Sequence, residues 1–334
     1  MKIAHLTGNS QIVIENIPSP VPGPGEVLIK TAVSALCGSE MKAYRTEGCA
    51  TGNPGHEAAG IVVALGEGTK TLSEGARVGV SAISGCGHCD YCEKGQFTWC
   101  DNFKFHGNMH AEYFVIPESA CHVIPDEVPW GPGVLITGDG LGVPFHTSTK
   151  IQGQGIHTVA VFGLGPIGLG SVMMQSYFGR RVIGIDQSPD RLALAKKLGA
   201  AHVVAADKVV DVVAEIRSLT DGRGVDVAIE AAGIPVTAKQ CFQAVRKAGV
   251  VVFNGEQPSV DLSPSEDFIR RDITAIGSWF YHFNEFPAML DLYRKGCPVG
   301  SLITHHYSLD QAAEAYQAMA DGKTGKVIFD YGQK

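Results

Sequence analysis

The sequence predicts a two-domain α/β protein, in which a β-rich domain precedes a doubly wound parallel sheet. Three observations support this prediction. The chain has 334 residues, which is too long for one ordinary core. Its first 130 residues are short apolar runs broken by Gly and Pro, a pattern typical of β structure. From about residue 155, strand-like and helix-like segments alternate, which is typical of a parallel sheet covered by helices.

The β-rich domain is assigned to residues 1–150. Its predicted strands lie in the runs EVLIKTAV, GIVVALGEG, ARVGVSAIS, AEYFVIP and ACHVIP, and four alternating prolines between residues 18 and 24 predict an extended connection. After about residue 275 the sequence predicts two further helices and a final strand, KVIFDY. Periodicity alone leaves open whether this tail extends the second sheet or returns to the first domain.

The parallel-sheet domain is assigned to residues 151–275. HTVAVFG and RVIGID are predicted strands around the helix PIGLGSVMMQSYFG. Ser188 is expected to cap the next helix, Pro189 to open it and Gly199 to end it. The same alternation continues through HVVAA, VVDVVAEIRSLT, VDVAIEAAG, TAKQCFQAVRKAG and VVVFNG.

Composition excludes several classes of function. The chain is 45% hydrophobic and 18% charged, as in soluble globular proteins, and its formal net charge of -7 argues against nucleic acid as a partner. The sequence has no basic cluster that would favour a membrane surface, no signal peptide and no membrane-spanning apolar run, so we expect a cytoplasmic protein. Nine cysteines, four of them between residues 86 and 100, favour metal binding over disulfides.

A glycine-rich loop predicts a dinucleotide site. In VAVFGLGPIGLG, Gly163, Gly165 and Gly168 form G-x-G-x-x-G between a predicted strand and a predicted helix, with Pro166 and Ile167 inside the motif. The three glycines would serve the tight turn, the approach of backbone to the pyrophosphate, and close packing of helix on strand. The helix N-terminus would offer free N–H groups to the phosphates.

The end of the next strand predicts which dinucleotide binds. Asp186 can accept both ribose hydroxyls and would repel a 2′-phosphate, while Gln187 and Ser188 add no cation. Arg191 lies on the following helix, from which it could reach the ribose. The Asp186 carboxylate should outweigh the charge of Arg191 in the choice of cofactor, so NAD is favoured over NADP. The alternative is a tight turn followed by an Asp that only caps a helix.

Four cysteines predict a structural zinc lobe. Cys86, Cys89, Cys92 and Cys100 form C-x2-C-x2-C-x7-C, and four thiolates close the tetrahedral shell of one zinc with no open position. An iron–sulfur cluster and free thiols are the competing interpretations.

Two further fragments are Cys37-Gly38-Ser39-Glu40 and Gly55-His56-Glu57. Taken singly, such a Cys is usually a small buried residue and such a His a structural one. Their order, followed by the four-cysteine lobe and the glycine-rich loop, resembles the zinc-containing medium-chain alcohol dehydrogenase family over essentially the whole chain. The resemblance implies a GroES-like catalytic domain, completed by residues 276–334, and a Rossmann NAD-binding domain.

The resemblance also implies roles for single residues. Cys37 and His56 correspond to the first two ligands of the family's catalytic zinc, Glu57 to the carboxylate beside it, and Ser39 to the hydroxyl that accepts the substrate's proton. The third ligand varies in the family between Cys, Glu and Asp, and the resembling position here is Asp139.

The spacing from Asp139 to His146 is similar to that of bacterial secondary-alcohol dehydrogenases, in which Asp is the ligand. Gly138-Asp139-Gly140 is also good turn chemistry, which is the alternative for this residue.

The chain departs from the family at three places. Glu40 stands where the family usually has an Asp that supports the zinc histidine, and Lys42 stands where a His often relays the proton to solvent. Ala76 replaces the Asp of the family's Gly-Asp-Arg-Val loop. None of the three removes a metal ligand. Because of the first two, the resemblance does not decide the route by which the proton leaves or the geometry of the residues around the zinc ligands.

The expected function is a zinc-dependent oxidoreductase that transfers a hydride between NAD(H) and an alcohol, polyol or sugar-type hydroxyl, or the matching ketone or aldehyde. The expected cofactors are NAD and about two zinc ions per chain, and the expected assembly is a homodimer or homotetramer. The alternatives are a catalytically silent protein that binds NAD and zinc, and a metal-independent NADP-linked reductase.

Overall fold

The computed structural model describes residues 1–151 and 155–332. It divides the chain into two compact units, one formed by residues 1–142 with 281 onwards and the other by Val143–Phe280. The boundaries lie at 142/143 and 280/281, rather than at the predicted 150/151 and 275/276. The fold class, a β-rich domain and a parallel-sheet domain, is confirmed.

The first part of the chain is mainly strand. Its elements are β1 (Lys2–Gly8), β2 (Gln11–Asn16), β3 (Glu26–Ala35), α1 (Glu40–Arg45), β4 (Glu57–Leu65), β5 (Arg77–Val80), β6 (Ile83–Ser84), α2 (Asp90–Glu93), β7 (Lys104–Phe105), β8 (Tyr113–Pro117), β9 (Cys121–Val123), α3 (Trp130–Thr137) and α4 (Asp139–Lys150), with 3₁₀ turns at Phe97–Trp99 and Glu118–Ala120. The proline-rich segment between β2 and β3 forms no strand, as predicted.

The second unit alternates strand and helix. Its elements are β10 (Thr158–Phe162), α5 (Pro166–Tyr177), β11 (Arg181–Asp186), α6 (Pro189–Lys197), β12 (His202–Ala205), α7 (Val212–Ser218), β13 (Val225–Glu230), α8 (Pro235–Ala244), β14 (Val245–Phe253), a π-helical turn at Pro264–Phe268, a 3₁₀ turn at Ile269–Arg271 and β15 (Thr274–Gly277).

The final part of the chain belongs to the first unit. Its elements are 3₁₀ turns at Phe283–Glu285, Val299–Leu302 and Leu309–Gln311, helices α9 (Phe286–Arg294) and α10 (Ala312–Ala320), and strands β16 (Ile303–Tyr307) and β17 (Lys326–Asp330). Strand β17 pairs antiparallel with β3, Phe329 opposite Ser34. The tail therefore returns to the first sheet, which the sequence left open.

Two large sheets organise the described residues, and two further sheets have two strands each, β1-β2 and β6-β7. In the first unit, strands run in the order β16-β17-β3-β4-β5-β9, with β8 also paired to β3. In the second unit, the order is β12-β11-β10-β13-β14-β15, and every pair is parallel. This is the doubly wound order, in which the chain starts at the centre and extends to each edge in turn. The core of the second unit lies around Phe162, Ile216 and Phe242, which are fully buried.

Local signals explain the starts of two helices. Pro166 and Pro189 open α5 and α6 as predicted, because a proline at the first helical position loses no backbone hydrogen bond. The Ser188 side chain caps α6 by accepting from the Arg191 N–H at 3.3 Å.

One predicted helix is too long. The segment TAKQCFQAVRKAG leaves the helix after Ala244, and Val245 already pairs with Val225 in β13. Ala248 then takes a left-handed φ of 53°, which no helix continues. Among the described helices, none has both the length and the apolar character needed to cross a membrane.

Candidate active site

Adjacent strands bring the first two predicted ligands together. Cys37 follows β3, and His56 immediately precedes β4. These strands pair antiparallel with Ala35 opposite Glu57, so the end of one meets the start of the other. Asp139 joins them as the first residue of α4, after the extended Gly138. The Gly138-Asp139-Gly140 segment therefore links two helices, and a carboxylate at a helix start is electrostatically favourable.

The four side chains form one buried group. A ligand atom from each of Cys37, His56, Glu57 and Asp139 lies within 4.8 Å of the others. The His56 Nε2 atom is 3.1 Å from Asp139 Oδ2, which lies 3.7 Å from the Cys37 sulfur. All four residues are at most 5% exposed. The other ring nitrogen of His56 faces the Pro54 carbonyl at 2.9 Å, an outer hydrogen bond of the kind that orients ligating histidines.

The chemistry of this group fits a zinc ion. Burial would lower the pKa of His56, but Cys37 and Asp139 raise it well above its ordinary value. The anionic side chains therefore favour a cation between them. Thiolate, imidazole and carboxylate are all zinc ligands, and three of them leave a fourth position open.

Glu57 has a partner that the sequence did not indicate. The Lys326 ammonium donates to Glu57 Oε1, and both residues are at most 1% exposed. Burial lowers the pKa of Lys326, but Glu57, Cys37 and Asp139 outweigh this effect and raise it. Glu57 Oε2 also accepts from the Gly140 N–H at 3.4 Å. No sequence pattern indicated this pair, because Lys326 opens an otherwise ordinary apolar strand, KVIFD.

Glu40, which stands where the family usually has an Asp, contacts Cys37, His110 and Tyr316. Its carboxylate accepts from the Cys37 N–H at 2.8 Å, contacts His110 Nε2 at 3.0 Å, and accepts from the Tyr316 hydroxyl. Burial would raise the pKa of Glu40, but His110 outweighs it and holds this pKa at about 2. Through its bond to the Cys37 N–H, the Glu40 carboxylate fixes the backbone of Cys37. His110 and Tyr316 were not predicted from the sequence.

Other predicted residues lie around the group. Ser39 is exposed at the start of α1, and Lys42 is exposed one turn later. His146 is buried on α4. In the described chain, His146 is not among the residues whose ligand atoms converge with Asp139.

The four-cysteine loop forms a second converging group. The sulfurs of Cys86, Cys89, Cys92 and Cys100 lie within 4.8 Å of one another. Glycine is required at one adjacent position, since a Cβ on Gly85 would lie 2.2 Å from the Cys92 sulfur. A hydrogen bond from the His88 backbone, the largest of several influences, lowers the pKa of Cys86 to about 6. Burial raises the pKa of Cys92 to about 12.

This second group also fits zinc. Every cysteine in the described chain is a free thiol, so no disulfide competes for the four sulfurs. A bound zinc would hold all four cysteines as thiolates, including Cys92, which on its own keeps its proton more strongly than Cys86. With four protein ligands this position would be closed, in contrast to the group around Cys37.

The glycine-rich loop has the predicted geometry. Gly163 follows β10 with a left-handed φ of 86°, and Gly165 caps α5. A Cβ on Gly168 would lie 1.8 Å from the Gly163 carbonyl oxygen, so only glycine allows this approach of helix to strand. Pro166 and Ile167 form the first turn of α5, and a Cβ on Gly165 would meet no atom within 4 Å.

Asp186 lies at the end of β11, beside this loop. One carboxylate oxygen accepts from the Leu164 N–H at 2.6 Å, and the other from the Gln187 and Ser188 N–H groups at 2.8 Å each. These bonds hold Asp186 against the glycine-rich loop, and they also match the alternative of a turn-capping Asp. Arg191, half-buried on α6, is in the same region.

Comparison with known proteins identifies the family of the chain. Residues 23–126 match the family model of the alcohol dehydrogenase GroES-like domain, and residues 166–295 match that of the zinc-binding dehydrogenases. The chain is 33% identical over 355 residues to the uncharacterized zinc-type alcohol dehydrogenase-like protein YphC of Escherichia coli, with 99% of each chain covered.

Two further proteins extend the comparison. A sorbitol dehydrogenase of Bacillus subtilis is 30% identical over 330 residues, which cover 95% of this chain and 93% of that protein. The crystal structure of 2R,3R-butanediol dehydrogenase from Bacillus subtilis matches with a TM-score of 0.85 and 30% identity, covering 98% of this chain and 99% of that one. The chain therefore belongs to the zinc-containing medium-chain alcohol dehydrogenase family of oxidoreductases.

Proposed function

We propose that this protein is an NAD-dependent dehydrogenase of alcohols or polyols, with a catalytic zinc held by Cys37, His56 and Asp139. The observation that carries the proposal is the convergence of these three side chains in one buried group. Relatives named for sorbitol and butanediol support a substrate with neighbouring hydroxyl groups.

Each residue of the candidate site would have its own role in the reaction. When bound, zinc would supply a Lewis acid that lowers the pKa of a substrate hydroxyl. Asp139 and Cys37 would place negative charge around the metal, while Lys326 holds Glu57 by an ion pair. Ser39, which is exposed, would accept the substrate's proton and release it to solvent. Because Lys42 stands in place of the relay histidine, Ser39 would exchange its proton directly with water.

A substrate panel tests the proposed function. Sorbitol, 2,3-butanediol, short secondary alcohols and cyclic alcohols would be offered with NAD, and NADH formation followed by absorbance. We expect turnover with at least one polyol or secondary alcohol. A protein that binds zinc and NAD but oxidises none of them, and reduces none of the matching ketones, would be the silent alternative.

The metal content should be about two zinc ions per chain. One would lie in the four-cysteine lobe and one in the group around Cys37. Elemental analysis of protein purified without added metal measures this. In Cys37→Ala the zinc content should fall to about one ion per chain. If the parent protein already held about one ion and Cys37→Ala held the same, there would be no zinc at the group around Cys37.

The cofactor preference should favour NAD strongly over NADP, because a 2′-phosphate would meet the Asp186 carboxylate. Asp186→Gly with Gln187→Arg should narrow or reverse the ratio of kcat/KM for the two cofactors. Equal use of both by the parent protein would show that Asp186 only holds the turn at Gln187 and Ser188.

The protein is further proposed to form a homodimer or homotetramer, since the resemblance to the family implies one. Light scattering at micromolar concentration measures the assembly. A monomer under these conditions would contradict this part of the proposal.

A further inference from the structure

A cavity in the second unit collects positive charge. Its volume is about 400 Å³, and it is lined by Arg217, Arg223, Val245, Arg246, Lys247 and Arg271. Four arginines and a lysine in one cavity stand out in a chain whose formal net charge is -7. The sequence shows no basic cluster because these residues are spread between positions 217 and 271. The fold brings them together.

The cavity is separate from the predicted cofactor residues. Arg223 precedes β13, and Val245 to Lys247 form the first residues of β14. The glycine-rich loop follows the last residue of β10, and Asp186 ends β11. Because all these strands are parallel, the cavity lies at the edge of the sheet opposite the glycine-rich loop.

Two of the arginines are fixed by backbone carbonyls. Arg217 donates to Gly222 at 3.1 Å and to Gln243 at 2.8 Å, and Arg271 donates to the carbonyls of Phe242 and Val245. Three of these acceptors lie at the C-terminal end of α8, where helical carbonyls lack partners. Capping this helix is a structural role for both arginines. The carbonyl oxygens carry no net charge to neutralise the two cations, and the hydrogen bonds hold the guanidinium groups in place.

A single carboxylate is paired with the cavity's cations. Asp226 Oδ1 lies 2.6 Å from Arg246 Nε and 3.5 Å from an Arg223 nitrogen, while Oδ2 accepts from the backbone of His157 and Thr158. Within residues 155–332, no other acidic side chain lies within ion-pair distance of the five cations. Burial lowers the pKa of Arg271, and repulsion by the charge of Arg217 lowers it further, while the weaker effect of the Asp267 carboxylate opposes both.

We propose that this cavity binds a small polyphosphate anion, either free or as the phosphate chain of a nucleotide. Guanidinium groups bind phosphate oxygens through paired hydrogen bonds, and several fixed together suit a ligand with several phosphates. The volume lies within the range of small-molecule sites, at about 300–1,000 Å³. A bound polyanion would relieve the repulsion between Arg217 and Arg271.

Isothermal titration calorimetry with sodium tripolyphosphate tests the proposal. The protein would be saturated with NADH, so that the cofactor site is filled, and titrated in buffer of low salt. We expect one site per chain, with affinity that falls as salt is raised. Arg223→Gln with Lys247→Gln should weaken binding by at least about tenfold, because charge-assisted hydrogen bonds are lost. Both residues are exposed and neither caps α8, so the fold should be preserved.

Matched controls make the result specific. Lys70→Gln with Lys104→Gln removes the same charge from exposed positions in the first unit and should leave the affinity unchanged. If adenosine triphosphate binds more tightly than tripolyphosphate, the ligand is a nucleotide. If tripolyphosphate binds more tightly, the ligand is a free polyphosphate. Absence of binding at low salt, or equal weakening by both double substitutions, would overturn the proposal. None of these readings depends on dehydrogenase activity.

Discussion

Asp139→Asn should lower turnover by more than about 100-fold, since even changes outside the ligand shell of a metal site cost about 10- to 100-fold. The amide keeps the size of the side chain and tolerates the same backbone conformation, but it is a neutral and poorer ligand. Asp139 Oδ2 lies 3.1 Å from His56 Nε2, so the substitution removes charge from the centre of the group. Steady-state NADH formation and zinc content measure the two effects.

The zinc content should fall by about one ion per chain, because the four-cysteine lobe uses only sulfurs of residues 86–100. Asp126→Asn is the matched control, since this side chain is 97% exposed. It should retain full activity and both metals. If Asp139→Asn did the same, Asp139 would only begin a helix, and Glu57 would become the next candidate for the third ligand.

Lys326→Met should destabilise the protein by about 3–5 kcal/mol, the usual cost of removing one partner from a buried ion pair. Within the described part of the chain, Glu57 would keep the Gly140 N–H at 3.4 Å as its hydrogen-bond donor, in a fully buried position. Its carboxylate also lies in the group formed by Cys37, His56 and Asp139. Once freed, it would compete for the open metal position, so turnover should fall as well. Chemical denaturation and steady-state kinetics measure the two losses.

A double-mutant cycle separates this pair from general damage. Glu57→Gln combined with Lys326→Met removes both charges, so it should recover part of the stability lost in Lys326→Met. Lys208→Met, at an exposed position, should change the free energy of unfolding by less than about 0.5 kcal/mol. Additive losses from Glu57→Gln and Lys326→Met would mean that the two side chains do not depend on each other.

Much of the fold could be predicted because its signals are local. Alternating apolar segments and the Pro and Ser signals at helix starts depend on neighbours in sequence, as at Ser188 and Pro189. The glycine-rich loop is similarly local, since Gly168 is required by the Gly163 carbonyl five residues earlier. The end of α8 was not predictable, because strand pairing of Val245 with Val225 overrides the helical pattern of VRKAG.

The candidate site was predictable only in part. Cys37, His56 and Asp139 followed from order and spacing through the family resemblance, and the fold brings them into one group. Lys326 reaches Glu57 because β17 pairs with β3, a contact between distant parts of the chain. His110 and Tyr316 reach Glu40 in the same way. No local pattern marks such partners, because each lies far along the chain from the carboxylate that it contacts.

The most direct test of the account is anomalous X-ray scattering at the zinc absorption edge, from crystals of protein purified with its own metal. We expect two peaks per chain: one enclosed by Cys86, Cys89, Cys92 and Cys100, the other bound by Cys37, His56 and Asp139, with Glu57 still paired to Lys326. A single peak in the four-cysteine lobe would contradict the catalytic zinc. A second peak bound by Glu57 in place of Asp139 would contradict the assigned ligand set.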